Sequence, residues 1–179
     1  MDVVDAIRTK RAVREYSAEP LPDDVVLQVL NAGRRAQSSK NTQPWTFVVV
    51  RDRARLADLA RLGTYAGHLA GAAMAVVLVS PDPAPRPTIL FDLGQAAAYM
   101  QLAAWELGVG SCLASVYEPD KAAELLGLPP DRQARLALSF GRPADPSLLH
   151  GAPRRGGRRP LAETVHWERW GSAQAPAPD

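Results

Sequence analysis

Residues 89–107 constrain the fold more than any other stretch, because this run is apolar almost all the way round a helical wheel. A helix without a polar face is normally buried. Ala96, Ala97, Ala98, Ala103 and Ala104 also let neighbouring elements approach it closely. The chain is therefore predicted to arrange itself around one long central helix, ended by Gly108 and Gly110. A length of 179 residues suits one domain with a substantial apolar core.

The remaining elements follow from periodicity. Helical spacing or helix-start signals predict helices over residues 2–9, 22–35, 53–62 and 119–126, the third amphipathic and lying on the surface. Short β-branched and aromatic runs predict strands at 45–50, 74–79, 111–116 and 134–140, with the first two central. This order mixes helices and strands without regular βαβ units. Residues 145–160 are rich in Gly, Pro and Arg and read as a loop, and 172–179 as a disordered tail. No internal repeat is visible.

Several function classes are disfavoured by composition. A net charge of +2 gives no general field for nucleic acid or a membrane surface. The longest apolar stretch, residues 69–79, is too short to span a bilayer, and the N-terminus lacks a basic leader, so the cytoplasm is the expected location. Cys112 is the sole cysteine and sits in an apolar stretch, where a small buried hydrophobe is its ordinary role. His68, His150 and His166 show no metal-ligand spacing.

Two basic clusters stand near opposite ends: Lys10, Arg11 and Arg14, then Arg154, Arg155, Arg158 and Arg159. Either alone is usually a solvated face. Guanidinium groups converging from separate segments are also what a phosphate requires, since their planar forks donate paired, charge-assisted hydrogen bonds. Residues 38–45, Ser-Ser-Lys-Asn-Thr-Gln-Pro-Trp, form a polar loop between a helix and a strand. A turn explains its Ser and Asn more cheaply; the functional reading is a set of donors and acceptors around a flat heteroaromatic ligand.

Taken in order, these segments resemble the nitroreductase family, in which a first helix leads into Arg-Arg-Ser-x-Arg-x-Phe and a Ser-Ser-x-Asn-x-Gln-Pro-Trp loop follows. The first motif is Lys10-Arg11-Ala12-Val13-Arg14-Glu15-Tyr16 here, and the second is matched at Ser38, Ser39, Asn41, Gln43, Pro44 and Trp45. Phe91-Asp92-Leu93-Gly94-Gln95-Ala96, the glycines after Leu107, and Arg158-Arg159-Pro160-Leu161 are similar to its central helix and late phosphate-binding segment.

The resemblance implies an α+β fold: a mainly antiparallel sheet flanked by helices, with the long central helix at a homodimer interface. It implies one FMN-binding domain over residues 1–171, with NAD(P)H as transient electron donor. Lys10, Arg11 and Arg158 would lie near the FMN phosphate, with Arg155 as an additional contact. Arg14 would lie near flavin N1 and the C2 carbonyl, where a fixed cation stabilises the negative charge of reduced flavin. Ser38, Ser39 and Asn41 would reach in from the partner subunit, and the backbone at Ala114, Ser115 and Val116 would lie beside flavin N5. Ala12 replaces a serine that usually helps to hold the phosphate, which removes a hydrogen bond worth about 1 kcal/mol. The segment 165–170, with Trp167 and Trp170, is expected to be a terminal strand reaching across to the partner.

The activity so implied is electron transfer from NAD(P)H through flavin to a small nitroaromatic, quinone or activated alkene, by ping-pong turnover with no catalytic acid or nucleophile. Competing readings are a flavin oxidase or dehydrogenase of a biosynthetic intermediate, a flavin-binding protein without turnover, and a small polyanion-binding module. The last lacks aromatic platforms or a basic stripe. Thr64, Tyr65 and His68 occupy the stretch where larger relatives carry a covering helical segment; for a lone histidine a surface or packing role is the ordinary reading.

Overall fold

A computed structural model describes residues 1–149 and 157–172. Five α-helices and four strands follow one another among these residues: α1 (Val3–Thr9), α2 (Asp23–Arg34), β1 (Thr46–Val50), α3 (Arg53–Ala60), β2 (Met74–Ser80), α4 (Thr88–Glu106), β3 (Gly110–Ser115), α5 (Pro119–Leu126) and β4 (Gln133–Gly141). The sheet order is β1-β2-β4-β3, and every neighbouring pair is antiparallel. The expected α+β architecture is what the chain adopts, with element ends within a few residues of those read from periodicity.

Alternation along the strands divides the core in two. Met74, Val76, Leu78, Leu138 and Phe140 face α2 and α4, whereas Ala75, Val77, Val79, Ala134 and Ala137 face α3 and its neighbours. β2 is buried along its whole length, as a strand covered on both faces must be. β1 was expected to be central as well, but it is an edge strand. Its side chains also pack on both faces, Phe47 and Val49 on one and Val48 and Val50 on the other. Side-chain composition therefore gave the burial of β1 correctly and said nothing of its unpaired backbone edge.

α4 buries Leu93, Ala96, Ala97, Met100, Ala104 and Trp105 against the chain. Close packing against α2 depends on Gly33, where an added Cβ would stand 2.2 Å from Met100 Cε. Contrary to the expectation of all-round burial, Leu90, Phe91 and Tyr99 on the outer face of α4 are exposed. Within one chain the helix has a sheet on one side only, so an all-apolar helix keeps an uncovered stripe. The helix stops at Gly108, whose φ of +68° suits the left-handed cap that glycine tolerates.

Residues 165–170 were expected to form a strand, but in the single chain they form a turn. Trp167 N–H donates to the Ser172 carbonyl at 2.9 Å, and the His166 and Trp170 rings pack with centroids 4.4 Å apart, tilted by 48°. A lone extended segment has no partner for its backbone groups, and none of the four strands lies beside it. The anticipated Arg154 and Arg155 and the tail beyond Ser172 lie outside the described residues. No helix among the described residues is long and apolar enough to cross a membrane.

Candidate functional site

The basic segment runs along the free side of β3. Ala12 forms a parallel bridge with Ser111, Val13 N–H donates to the Ser111 carbonyl at 3.0 Å, and Val13 packs over Gly110, where a Cβ would come within 2.7 Å of it. Tyr16 bridges Pro143, and its ring covers Gly141. This short added strand spaces the cations. Lys10 is half-buried, and burial pushes its ammonium below the ordinary lysine range. Arg11 is held by its Nε–H to the Thr9 carbonyl at 3.2 Å and stacks 5.9 Å from the Trp105 ring centre. Arg14 is exposed, yet its charge bears on half-buried Tyr16 and on buried His68 and Cys112.

Those groups belong to a buried polar cluster that no sequence spacing announced. Tyr16 Oη lies 2.6 Å from the Val13 carbonyl and 2.6 Å from Ser139 Oγ. Ser139 Oγ in turn lies 2.7 Å from His68 Nδ1. His68 sits in a short 3-10 turn, Gly67–Leu69, and is only 9% exposed; Tyr65, one turn earlier, is exposed. Burial pushes the His68 pKa down, the charge of Arg14 adds to this, and the Leu113 carbonyl acts in the opposite sense. Burial also raises the Tyr16 phenol and the Cys112 thiol. Cys112 is buried, as expected of a structural cysteine. The one legible signal for this cluster was Tyr16 itself, where the family motif has Phe: a buried phenol requires a partner.

The polar loop is a separate construction. Lys40, Asn41 and Gln43 all have left-handed φ, at 53°, 53° and 46°, a conformation that costs non-glycine residues energy and persists only when neighbours enforce it. Two side chains from α4 and its approach do so. Buried Asp92 accepts the Ser39 N–H at 3.1 Å, and Arg86 Nη2 donates to the Ser39 carbonyl at 3.0 Å and to Thr42 Oγ1 at 2.9 Å. Ser38 Oγ accepts the Gln43 N–H at 2.9 Å. Ser38 and Ser39 are half-buried and Asn41 is exposed.

The two halves do not meet within one chain. The loop is tied to α4 through Asp92 and the basic segment through Trp105, which donates from Nε1 to Thr9 Oγ1 at 3.0 Å. Along α4 these anchors stand about 20 Å apart at ~1.5 Å per residue. Lys10, Arg11, Ala12 and Arg14 are thus brought to the β3 edge, where Ala114 is buried and Ser115 exposed, while Ser38, Ser39 and Asn41 stand at the other end of the helix. Arg158 is exposed in the stretch 157–160, and Arg155 falls outside the described residues. Among the described residues no cluster of His, Cys, Asp or Glu offers a metal site.

The backbone defines a class before any sequence likeness is weighed: a nitroreductase-like α+β fold. It superposes on B. megaterium NfrA2 with a TM-score of 0.83 at 23% identity, covering 96% of this chain and 76% of that one. It superposes on an FMN-dependent nitroreductase from Clostridium difficile R20291 with a TM-score of 0.80 at 23% identity, covering 94% and 100%. Residues 7–66 and 61–142 match the model of the nitroreductase family, and the chain belongs to that family. It is 33% identical over 172 residues to an Archaeoglobus fulgidus protein provisionally named NADH dehydrogenase/NAD(P)H nitroreductase, covering 92% of this chain and 96% of its relative.

Proposed function

We propose that this chain is an FMN-dependent oxidoreductase that takes electrons from NAD(P)H and delivers them to a small organic acceptor such as a nitroaromatic, a quinone or an activated alkene. The observation that carries the reading is the placement of Lys10, Arg11 and Arg14 on one short segment along the free edge of β3. Both His68 Nε2 and Ser111 Oγ are buried without a hydrogen-bond partner among the described residues. Such atoms cost about 1–3 kcal/mol each when left unpaired; it is the strip of cations on the exposed edge that fits the phosphate tail of a flavin.

Lys10, Arg11 and Arg158 hold the phosphate, with Arg155 as a further contact, and Arg14 faces the N1 side of the ring. Ala12 contributes backbone only. The flavin when bound supplies hydride chemistry at N5, and the backbone of Ala114 and Ser115 borders that atom. The protein keeps out bulk water and shapes one pocket in which donor and acceptor take turns, so turnover is ping-pong.

The cofactor site is shared by two copies of the chain. Ser39 is anchored at the opposite end of α4 from Thr9 and the basic segment that follows it, and the bare stripe of Leu90, Phe91 and Tyr99 on α4 gives a second copy an apolar seat. The segment 165–170, which pairs with none of the four strands of its own chain, reaches across to that copy. Residues 1–171 act as a single domain.

Visible spectroscopy of the purified protein tests the reading directly. Bound flavin identified as FMN after release, and bleached by NADH or NADPH, is the expected result. An apoprotein without affinity for FMN overturns it; FMN that no nicotinamide reduces points instead to a flavin-binding protein without turnover.

A further inference from the structure

Trp105 is buried near the C-terminal end of α4, and it is tied to the basic segment twice. Its Nε1–H donates to Thr9 Oγ1 at 3.0 Å, and its ring lies under the Arg11 guanidinium, with Cζ 5.9 Å from the ring centre. Thr9 closes the arrangement. Its hydroxyl proton goes to the Asp5 carbonyl at 2.6 Å, much the shorter of its contacts as a donor, so its oxygen is left to accept the indole N–H. The Thr9 carbonyl accepts the Arg11 Nε–H at 3.2 Å.

Filling space between α4 and α1 does not by itself call for this residue. An aliphatic side chain fills such a site, whereas a buried indole brings an N–H that must be paired. What the indole adds is a flat face, and a planar guanidinium is the cation that suits it. Arg11 is thus held from two independent directions, along its fork by the Thr9 carbonyl and from one side by the ring. The support is itself fixed, since Thr9 is the last residue of α1 and the next N–H, that of Lys10, donates to the Ala6 carbonyl at 2.9 Å. A long side chain ordered before its ligand arrives gives up less freedom on binding.

We propose that Trp105 is a positioning residue for phosphate recognition: it holds the Arg11 guanidinium in place for the phosphate of FMN and so sets the preference of the site for the phosphorylated flavin over riboflavin. The inference rests on the FMN reading above and adds to it a residue that touches no ligand. Trp105 acts through Thr9 and Arg11, and binding of the flavin ring does not depend on it.

Titration of the flavin-free full chain with FMN and with riboflavin, read by flavin fluorescence, gives the ratio of the two affinities. Wild type should favour FMN. Trp105→Leu should lower that ratio roughly tenfold and leave riboflavin binding as it was. Trp105→Phe, which keeps an aromatic face and loses the N–H, should recover part of the preference. In an Arg11→Gln background Trp105→Leu should lower the ratio no further, because the interaction it removes is already gone.

An unchanged ratio, a loss of affinity equal for the two flavins, or a full effect in the Arg11→Gln background each overturns the proposal. If Trp105→Leu fails to fold, Thr9→Val carries the same test: it strands the indole N–H and should narrow the ratio about threefold, and a ratio equal to wild type overturns the proposal. Binding of neither flavin overturns the FMN reading, and equal wild-type affinity for the two takes the phosphate off Arg11 and overturns this inference with it. A clear preference for FMN that is indifferent to Trp105 overturns only this inference.

Discussion

The carboxylate of Asp92, on a helix facing the core, accepts the backbone N–H of Ser39 at 3.1 Å and so ties a strained loop to the longest element of the fold. Its second oxygen is buried without a partner among the described residues. Asp92→Ala strands the Ser39 N–H while relieving that unpaired oxygen. The expected cost in global stability is therefore about 1 kcal/mol, with a larger loss, roughly tenfold, in FMN affinity. Chemical denaturation and flavin titration on the same sample separate the two, and unchanged FMN binding would show that the loop does not serve the cofactor.

Arg14→Gln removes a fixed cation without opening a core cavity, since Arg14 is exposed. The two-electron potential of bound flavin should fall by about 30 mV if the lost interaction is worth ~1.4 kcal/mol. Reduction by NADH should slow, while the circular dichroism spectrum stays as it was. A potential equal to wild type would remove Arg14 from the flavin.

Restoring the hydroxyl that the family pattern places at position 12 should tighten cofactor binding. Ala12 is exposed on the bridge to Ser111, so Ala12→Ser has room, and one added hydrogen bond of about 1 kcal/mol corresponds to roughly fivefold in affinity. Equilibrium dialysis against FMN measures the change; weaker binding would place the phosphate elsewhere.

Phe91 is 70% exposed on the bare stripe of α4. Phe91→Asp should leave the chain folded but shift sedimentation at micromolar concentration from dimer to monomer, and FMN binding should disappear in parallel. A monomer that retains its flavin would refute the shared site.

The folded chain holds His68 below its ordinary value of 6.5. Below that pH the unfolded chain takes up a proton that the folded chain resists, so this contribution to stability is complete above pH 6.5 and is lost as the pH falls. Of the groups acting on the ring, Arg14 on the N-terminal segment adds positive charge and Tyr16 and Cys112 stay neutral, while the Leu113 carbonyl from β3 opposes the shift. His68→Phe should flatten the loss of stability from about pH 8 to about pH 5 by at most ~1.4 kcal/mol per pH unit. Denaturation curves across that range provide the check.

How much of this was legible in the sequence varied with the range of the interaction. Every strand and helix was readable because periodicity is local, and Pro119 or Gly108 marks an end within one turn. The edge position of β1 was not readable, since Phe47 to Val50 are covered on both faces in either position and strand order lies in backbone pairing. The two anchoring motifs were readable as ordered residue types, yet their separation along α4 was not, because Asp92 and Trp105 look alike as members of one apolar run. His68, Ser139 and Tyr16 are joined across most of the chain, and single side chains that far apart leave no pattern in a linear text.

The distance between the two ends of α4 also has a genetic meaning. If each pocket draws its basic edge from one chain and its strained loop from another, damage to Asp92 or Arg86 falls on the neighbour's cofactor and spares the damaged chain's own phosphate contacts. In a cell that makes both forms, an intact copy paired with a defective one would lose the pocket built on its own arginines. The defective copy would keep a working pocket, its own arginines being met by the sound loop of its neighbour. Such lesions would move the lost site to the intact copy's arginines without lowering the total below half, and a loop mutant and an arginine mutant, each inactive alone, would together restore one working site.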